Sequence, residues 1–134
     1  MKDAYVKIET AQLLKEKGFD WEVRSLYGNY QQDLGFSSWS NNYNAYDDLV
    51  SAPTQQMACR WLREVHNIFI GVGIGEDLDG EFGYMPFIHI LDNLSCPDGK
   101  YVPDVDADDI CNLTPQTYED AVEFALEYAL KNLI

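Results

Sequence analysis

Asp104, Asp106, Asp108 and Asp109 place four carboxylates in one short stretch, the densest set of hard oxygen ligands in the chain. Their alternating spacing is the kind that a calcium ion needs. The stretch lacks the glycine and the distal bidentate glutamate of a helix-loop-helix calcium loop, so a solvated acidic loop is the plainer reading and a metal site the sharper one. Asp77, Asp79 and Glu81 offer similar ligands around Gly80, but Asp79-Gly80 is sufficiently explained by a hairpin turn. His89, Cys96 and Cys111 are soft ligand types with neither a Cys-x-x-Cys nor a His pair among them, whereas structural zinc wants four ligands. His66, beside Arg63 and Glu64 at the end of a helical pattern, suits a capping imidazolium stabilised by the helix dipole. His66 or His89 could serve as a general base if folding brought a carboxylate close, and no spacing selects either. These residues assign no catalytic group and call for no cofactor.

A second kind of chemistry is contact rather than reaction. Between Tyr30 and Asp48, Phe36, Trp39, Tyr43 and Tyr46 are interleaved with Ser37, Ser38, Ser40, Asn41, Asn42 and Asn44, without a clean period. Rigid amphipathic rings among small polar residues are the composition of binding loops. Rings that simply pack on a sheet would give the same composition. Phe36, Trp39, Tyr43 and Tyr46 are therefore the candidate partner-binding residues, and Asp104, Asp106, Asp108 and Asp109 the candidate metal ligands.

Charge narrows the partners. The 134 residues carry nine Lys or Arg against 23 Asp or Glu, a formal net charge of −14. Residues 1–63 hold seven basic and eight acidic side chains, and residues 64–134 hold two and fifteen, so the excess belongs to the second half. Affinity for nucleic-acid phosphates comes from Lys and Arg displacing counterions, so direct binding to DNA or RNA is not expected. The acidic half is either a solubilising surface or a face for a basic partner. Three cysteines without paired spacing give no disulfide framework, no stretch approaches a membrane span, and residues 1–14 lack a secretory pattern, which together point to the cytoplasm.

The elements that must position these residues form one domain, 1–134. Pro53 to Ile74 is its organising stretch. Met57, Ala58, Trp61, Leu62 and Val65 fall on one helical face, with Ser51 or Thr54 as N-cap and Pro53 suited to a first turn. After His66 and Asn67 the period drops to two, and Ile68, Ile70, Val72 and Ile74 oppose Phe69, Gly71, Gly73 and Gly75. A return strand spans Phe82 to Leu91, in which Pro86 favours an edge or a bulge. Upstream, Thr10 to Lys17 reads as a short helix closed by Gly18, and Trp21 to Tyr27 as a strand. Downstream, Thr117 caps a helix whose stripe is Tyr118, Val122, Ala125, Ala129 and Leu133, widened by Leu126 and Leu130. The order predicts an α+β fold, a small and mainly antiparallel sheet of about three to five strands packed with three helices in an α-β-α arrangement.

Two blocks carry a family likeness: Thr10 to Phe19 (TAQLLKEKGF), and Ala52-Pro53-Thr54-Gln55 with Trp61 to Ile68 (WLREVHNI). With the closing Tyr118-Glu119-Asp120-Ala121 they resemble a family of small proteins encoded in prophages, phages and mobile elements of gut Bacteroidetes. The element order also resembles the phage ABA sandwich group. The resemblance implies the N-terminal and central helices and a mobile-element setting. It brings no catalytic residue, and it leaves out both the aromatic stretch and the aspartate run.

Three functions follow as expectations. The first is a noncatalytic accessory protein of a phage or mobile element that binds another protein. The second is an acidic mimic of nucleic acid that occupies the basic groove of a host DNA-binding or defence protein. The third is a small metal-dependent hydrolase.

Overall fold

The computed structural model describes residues 4–28, 33–76, 80, 82–90, 100–101 and 117–134. The fold class is α+β. Among the described residues the order is α1 (Ile8–Glu16), β1 (Val23–Gly28), β2 (Gly35–Asn41), a 3-10 turn (Tyr43–Ala45), β3 (Leu49–Ser51), α2 (Gln55–His66), β4 (Ile68–Glu76), β5 (Phe82–Ile90), β6 (Lys100–Tyr101) and α3 (Tyr118–Asn132). All pairing within the sheets is antiparallel, but the strands divide between two sheets, β2-β1-β3 and β4-β5-β6, where one was expected. The division follows chain order: the strands before α2 form one sheet and the strands after it the other.

Local chemistry sets the ends of the helices. Gly18, at φ 93°, ends α1 in the left-handed region, with the Phe19 N–H on Leu14 O at 2.9 Å and the Gly18 N–H on Lys15 O at 3.2 Å. This is the paired bonding of a glycine C-cap. Phe19 then enters the core, its ring edge-on to Trp61 at 5.5 Å. Of the two expected caps for α2, Thr54 serves, its hydroxyl accepting from Met57 N–H at 3.1 Å. The other end of α2 is closed by Asn67, in the left-handed region at φ 58°, which also turns the chain directly into β4. Thr117 accepts from the Asp120 N–H at 3.0 Å and caps α3.

The hairpin of β4 and β5 keeps the expected faces, pairing Ile68 with Ile90, Ile70 with Ile88 and Ile74 with Tyr84. Its base is buried, and burial fades along it until Ile74 stands 78% exposed. Phe87 lies across Gly71, where any added Cβ would collide with its ring. Pro86 fits because β6 pairs with β5 only at His89 and Ile90, leaving a ladder on one side of the proline among the described residues.

One connected apolar core joins all three helices to both sheets through residues such as Leu14, Val23, Trp61, Ile70, Ile88 and Leu126. Inside it, among the described residues, lies one carboxylate. Glu123, 6% exposed on the buried face of α3, accepts from the Lys7 backbone N–H at 3.0 Å, Thr10 Oγ1 at 2.5 Å and Gln55 Nε2 at 3.3 Å. Lys7 is the N-cap position of α1 and gives that helix no side-chain cap, so Glu123 caps α1 from another helix. Replacing Glu123 by Gln turns one acceptor into a donor facing donors, and should destabilise the fold by about 1–3 kcal/mol in urea unfolding, with Glu123→Ala at least as damaging. Wild-type stability in both variants would refute the structural role of this carboxylate.

Candidate functional site

β2 is an edge strand, and its pairing with β1 is broken in the middle. Ser25 faces Phe36 and Val23 faces Asn41, so residues 37–40 bulge opposite the single residue Arg24. A bulge of this kind re-aims side chains away from the ladder. Trp39 rides on it, 79% exposed, with Phe36 at 66% and Tyr46 at 49%. The backbone beneath Trp39 is held at both ends: its N–H donates to Ser37 Oγ at 3.1 Å, and its carbonyl accepts from Tyr43 Oη at 2.6 Å. Tyr43 itself is buried at 8% exposure. Of the four rings singled out in the sequence, three face outward and the fourth anchors one of them.

The asparagines and a lysine of the same region are also spoken for. Asn42 caps the 3-10 turn through Asn44 N–H at 3.1 Å. Asn44 spans two elements, donating to Phe19 O at 2.8 Å and accepting from the Ser51 N–H at 2.8 Å. Lys15 of α1 donates to the carbonyls of Tyr46 and Leu49, each at 2.7 Å. Phe36 is braced edge-on by Tyr5 at 5.4 Å. The polar residues that gave this stretch a loop-like composition are therefore mostly internal ties, and the exposed rings stand on a fixed frame.

The titratable candidates are arranged differently. His66 does not cap α2, since Asn67 takes that position; the imidazole packs edge-on to Trp61 at 4.7 Å, with Nε2 buried and, among the described residues, without a hydrogen-bond partner. Burial holds its pKa below the usual histidine value, opposite to the imidazolium expected at this helix end. His89 is half-buried on β5, its ring 5.4 Å from that of Phe87. Cys59, on α2, is a free thiol whose pKa burial pushes up to about 11, against a smaller lowering by Arg63. At neutral pH it is protonated and a poor nucleophile. Asp104, Asp106, Asp108 and Asp109, together with Asp77, Asp79, Glu81, Cys96 and Cys111, lie outside the described residues. Among the described residues no three His, Cys, Asp or Glu side chains gather as a metal ion would require, and no helix is long and apolar enough to cross a membrane.

A concave site that the sequence did not signal lies between α2, the start of α3 and the hairpin. It is a cleft of about 890 Å³ with Cys59 and Arg63 on α2, Ile70 and Val72 on β4, Tyr84 on β5 and Tyr118 on α3 among its lining. Its residues come from five separated segments, Ala4 among them, and share no motif; the exposed Tyr118, at the head of a largely buried stripe, is the nearest thing to a sequence signal.

Comparison with protein-family models, with curated proteins and with solved structures returns no match.

The state of Cys59 has a measurable consequence. With Cys96 and Cys111 changed to Ser, alkylation of the folded protein by iodoacetamide at pH 8 should be about a hundredfold slower than that of the unfolded chain, in proportion to thiolate. Because the folded thiol titrates above the unfolded one, its contribution to stability is complete below about pH 8.5 and is lost as pH rises towards 11. Cys59→Ala should flatten that part of the pH–stability curve. Equal alkylation rates in folded and unfolded protein would contradict the burial of the thiol.

Proposed function

We propose that this chain is a small acidic accessory protein of a phage or mobile element, acting as a noncatalytic module that binds another protein through Phe36, Trp39 and Tyr46. The observation that carries the reading is Trp39, 79% exposed on a backbone fixed by Ser37 and Tyr43. A large indole left in water is a standing source of binding free energy, and aromatic anchors dominate most protein interfaces. Holding the backbone in advance lowers the ordering cost of association. Tyr43 enters the reading as the support of the surface rather than a part of it. The mobile-element setting rests on the likeness of the two helical blocks and the closing Tyr-Glu-Asp-Ala.

The second reading, acidic mimicry of nucleic acid, is favoured by one observation, the balance of two basic against fifteen acidic residues over 64–134. The two readings differ in their response to salt.

Affinity purification of the tagged protein from a native-type host, with nuclease treatment and a salt series, followed by a binding constant for the purified pair, separates them. The aromatic reading expects a stoichiometric partner that stays bound at about 0.5 M salt, where exposed charges are screened. Trp39→Ala should weaken that complex by about thirtyfold or more, as loss of an interface anchor does. Tyr43→Phe, which keeps the ring and removes the bond to Trp39 O, should weaken it by a smaller factor. Release by moderate salt, with sensitivity to changing Asp104, Asp106, Asp108 and Asp109 to Asn and none to Trp39→Ala, would transfer the function to the acidic half. No partner at any salt would overturn both readings.

A further inference from the structure

We infer that the cleft between α2, α3 and the β4–β5 hairpin binds a small amphiphile, one anionic head on an apolar or aromatic body, with Arg63 as the group that receives the head. This site is distinct from the aromatic surface on β2 and does not depend on it. At about 890 Å³ the cleft falls within the size range of small-molecule sites, and its make-up resembles theirs: apolar surface with a limited set of polar groups, most of them on the α2 side. Ile70, Val72 and Val122 supply aliphatic surface, and Tyr84 and Tyr118 meet edge-on at 6.1 Å to form an aromatic wall.

The polar wall is α2. Arg60 is already engaged there, bonded to Glu64 at 3.1 Å with its guanidinium 5.8 Å from the centre of the Trp21 ring. Arg63 lines the same cleft and makes neither a hydrogen bond nor an ion pair among the described residues. Its charge reaches the buried wall, because it is felt by the Cys59 thiol. A guanidinium at the margin of a desolvated wall is suited to a carboxylate, sulfonate or phosphate oxygen pair. Glu119 stands on the α3 side, in the first turn of that helix, where its carboxylate repels an anion. The head is thereby directed to α2 and the body to Tyr84 and Tyr118.

The test uses the full chain and two fluorescent probes of similar shape, the anionic 8-anilinonaphthalene-1-sulfonate and the neutral N-phenyl-1-naphthylamine. The expected result is saturable binding of the sulfonate, one per chain, to protein whose near-ultraviolet circular dichroism is unchanged. Arg63→Gln, at an exposed position, should weaken the sulfonate by about tenfold and leave the neutral probe unaffected. Tyr118→Ala should weaken both. Absence of saturable sulfonate binding overturns the site, and equal sensitivity of the two probes to Arg63→Gln overturns the anionic head.

Discussion

Among the described residues one buried carboxylate, that of Glu123, ties the three helices to one another inside the apolar core. The first turn of α1 presents backbone N–H groups with no helical partner, and its N-cap residue, Lys7, offers no side-chain oxygen to them. Glu123 of α3 supplies that oxygen, along with an acceptor for the Thr10 hydroxyl and for the Gln55 amide at the start of α2. A charge taken out of water is tolerable only when its lone pairs are filled and a compensating field is present. Three donors and the positive end of the α1 dipole meet both conditions. The N-terminal segment is stitched in by the same arrangement: the Val6 N–H bonds Pro53 O at 3.1 Å, the Gln55 N–H bonds Ala4 O at 2.8 Å, and Tyr27 Oη donates to Val6 O at 2.8 Å. Burial, reinforced by Glu123 and Glu9, raises the pKa of Tyr27 and keeps that phenol a donor. The two sheets are thus joined through the apolar core to a helical layer that Glu123 cross-links.

Periodicity and capping made much of this legible beforehand. The switch from helix to strand near Asn67, the glycine cap after α1, the Thr117 cap and the opposing faces of β4 and β5 all depend on residues close in sequence, where local sterics decide. The division into two sheets was not legible, because strand pairing is a property of the whole chain. Glu123 could have been found: it lies three and seven residues before Leu126 and Leu130, on the buried stripe, and a charge there demands partners. The sequence could not name those partners, which lie 68 or more residues away.

The candidate surface shows the same boundary between local and distant causes. Composition marked Phe36, Trp39, Tyr43 and Tyr46 as a group, but four aromatic rings without a period carry no information on which face water. The register break between Ser25 and Val23 decides it, sending Trp39 outward while Tyr43 turns in to hold its carbonyl. The asparagines belong to the frame for a related reason. A short amide side chain can satisfy two backbone groups at once, as Asn44 does between Phe19 and Ser51, and such ties cross between elements that the sequence does not show to be adjacent.

The titratable groups bear on the choice between binding and catalysis. A catalytic thiol or imidazole is set where its reactive form is favoured, by a positive field for thiolate or a nearby carboxylate for a histidine base. Here burial opposes ionisation of both Cys59 and His66, and among the described residues the buried Nε2 of His66 faces no hydrogen-bond partner. The fold thus packs His66 on Trp61 and sets Cys59 against the apolar core, while Trp39, 79% exposed, is carried on a backbone secured from two sides. Rigidity under an exposed ring contributes little to stability, since the ring itself remains in water. It would lower the entropy lost if a second surface covered that ring.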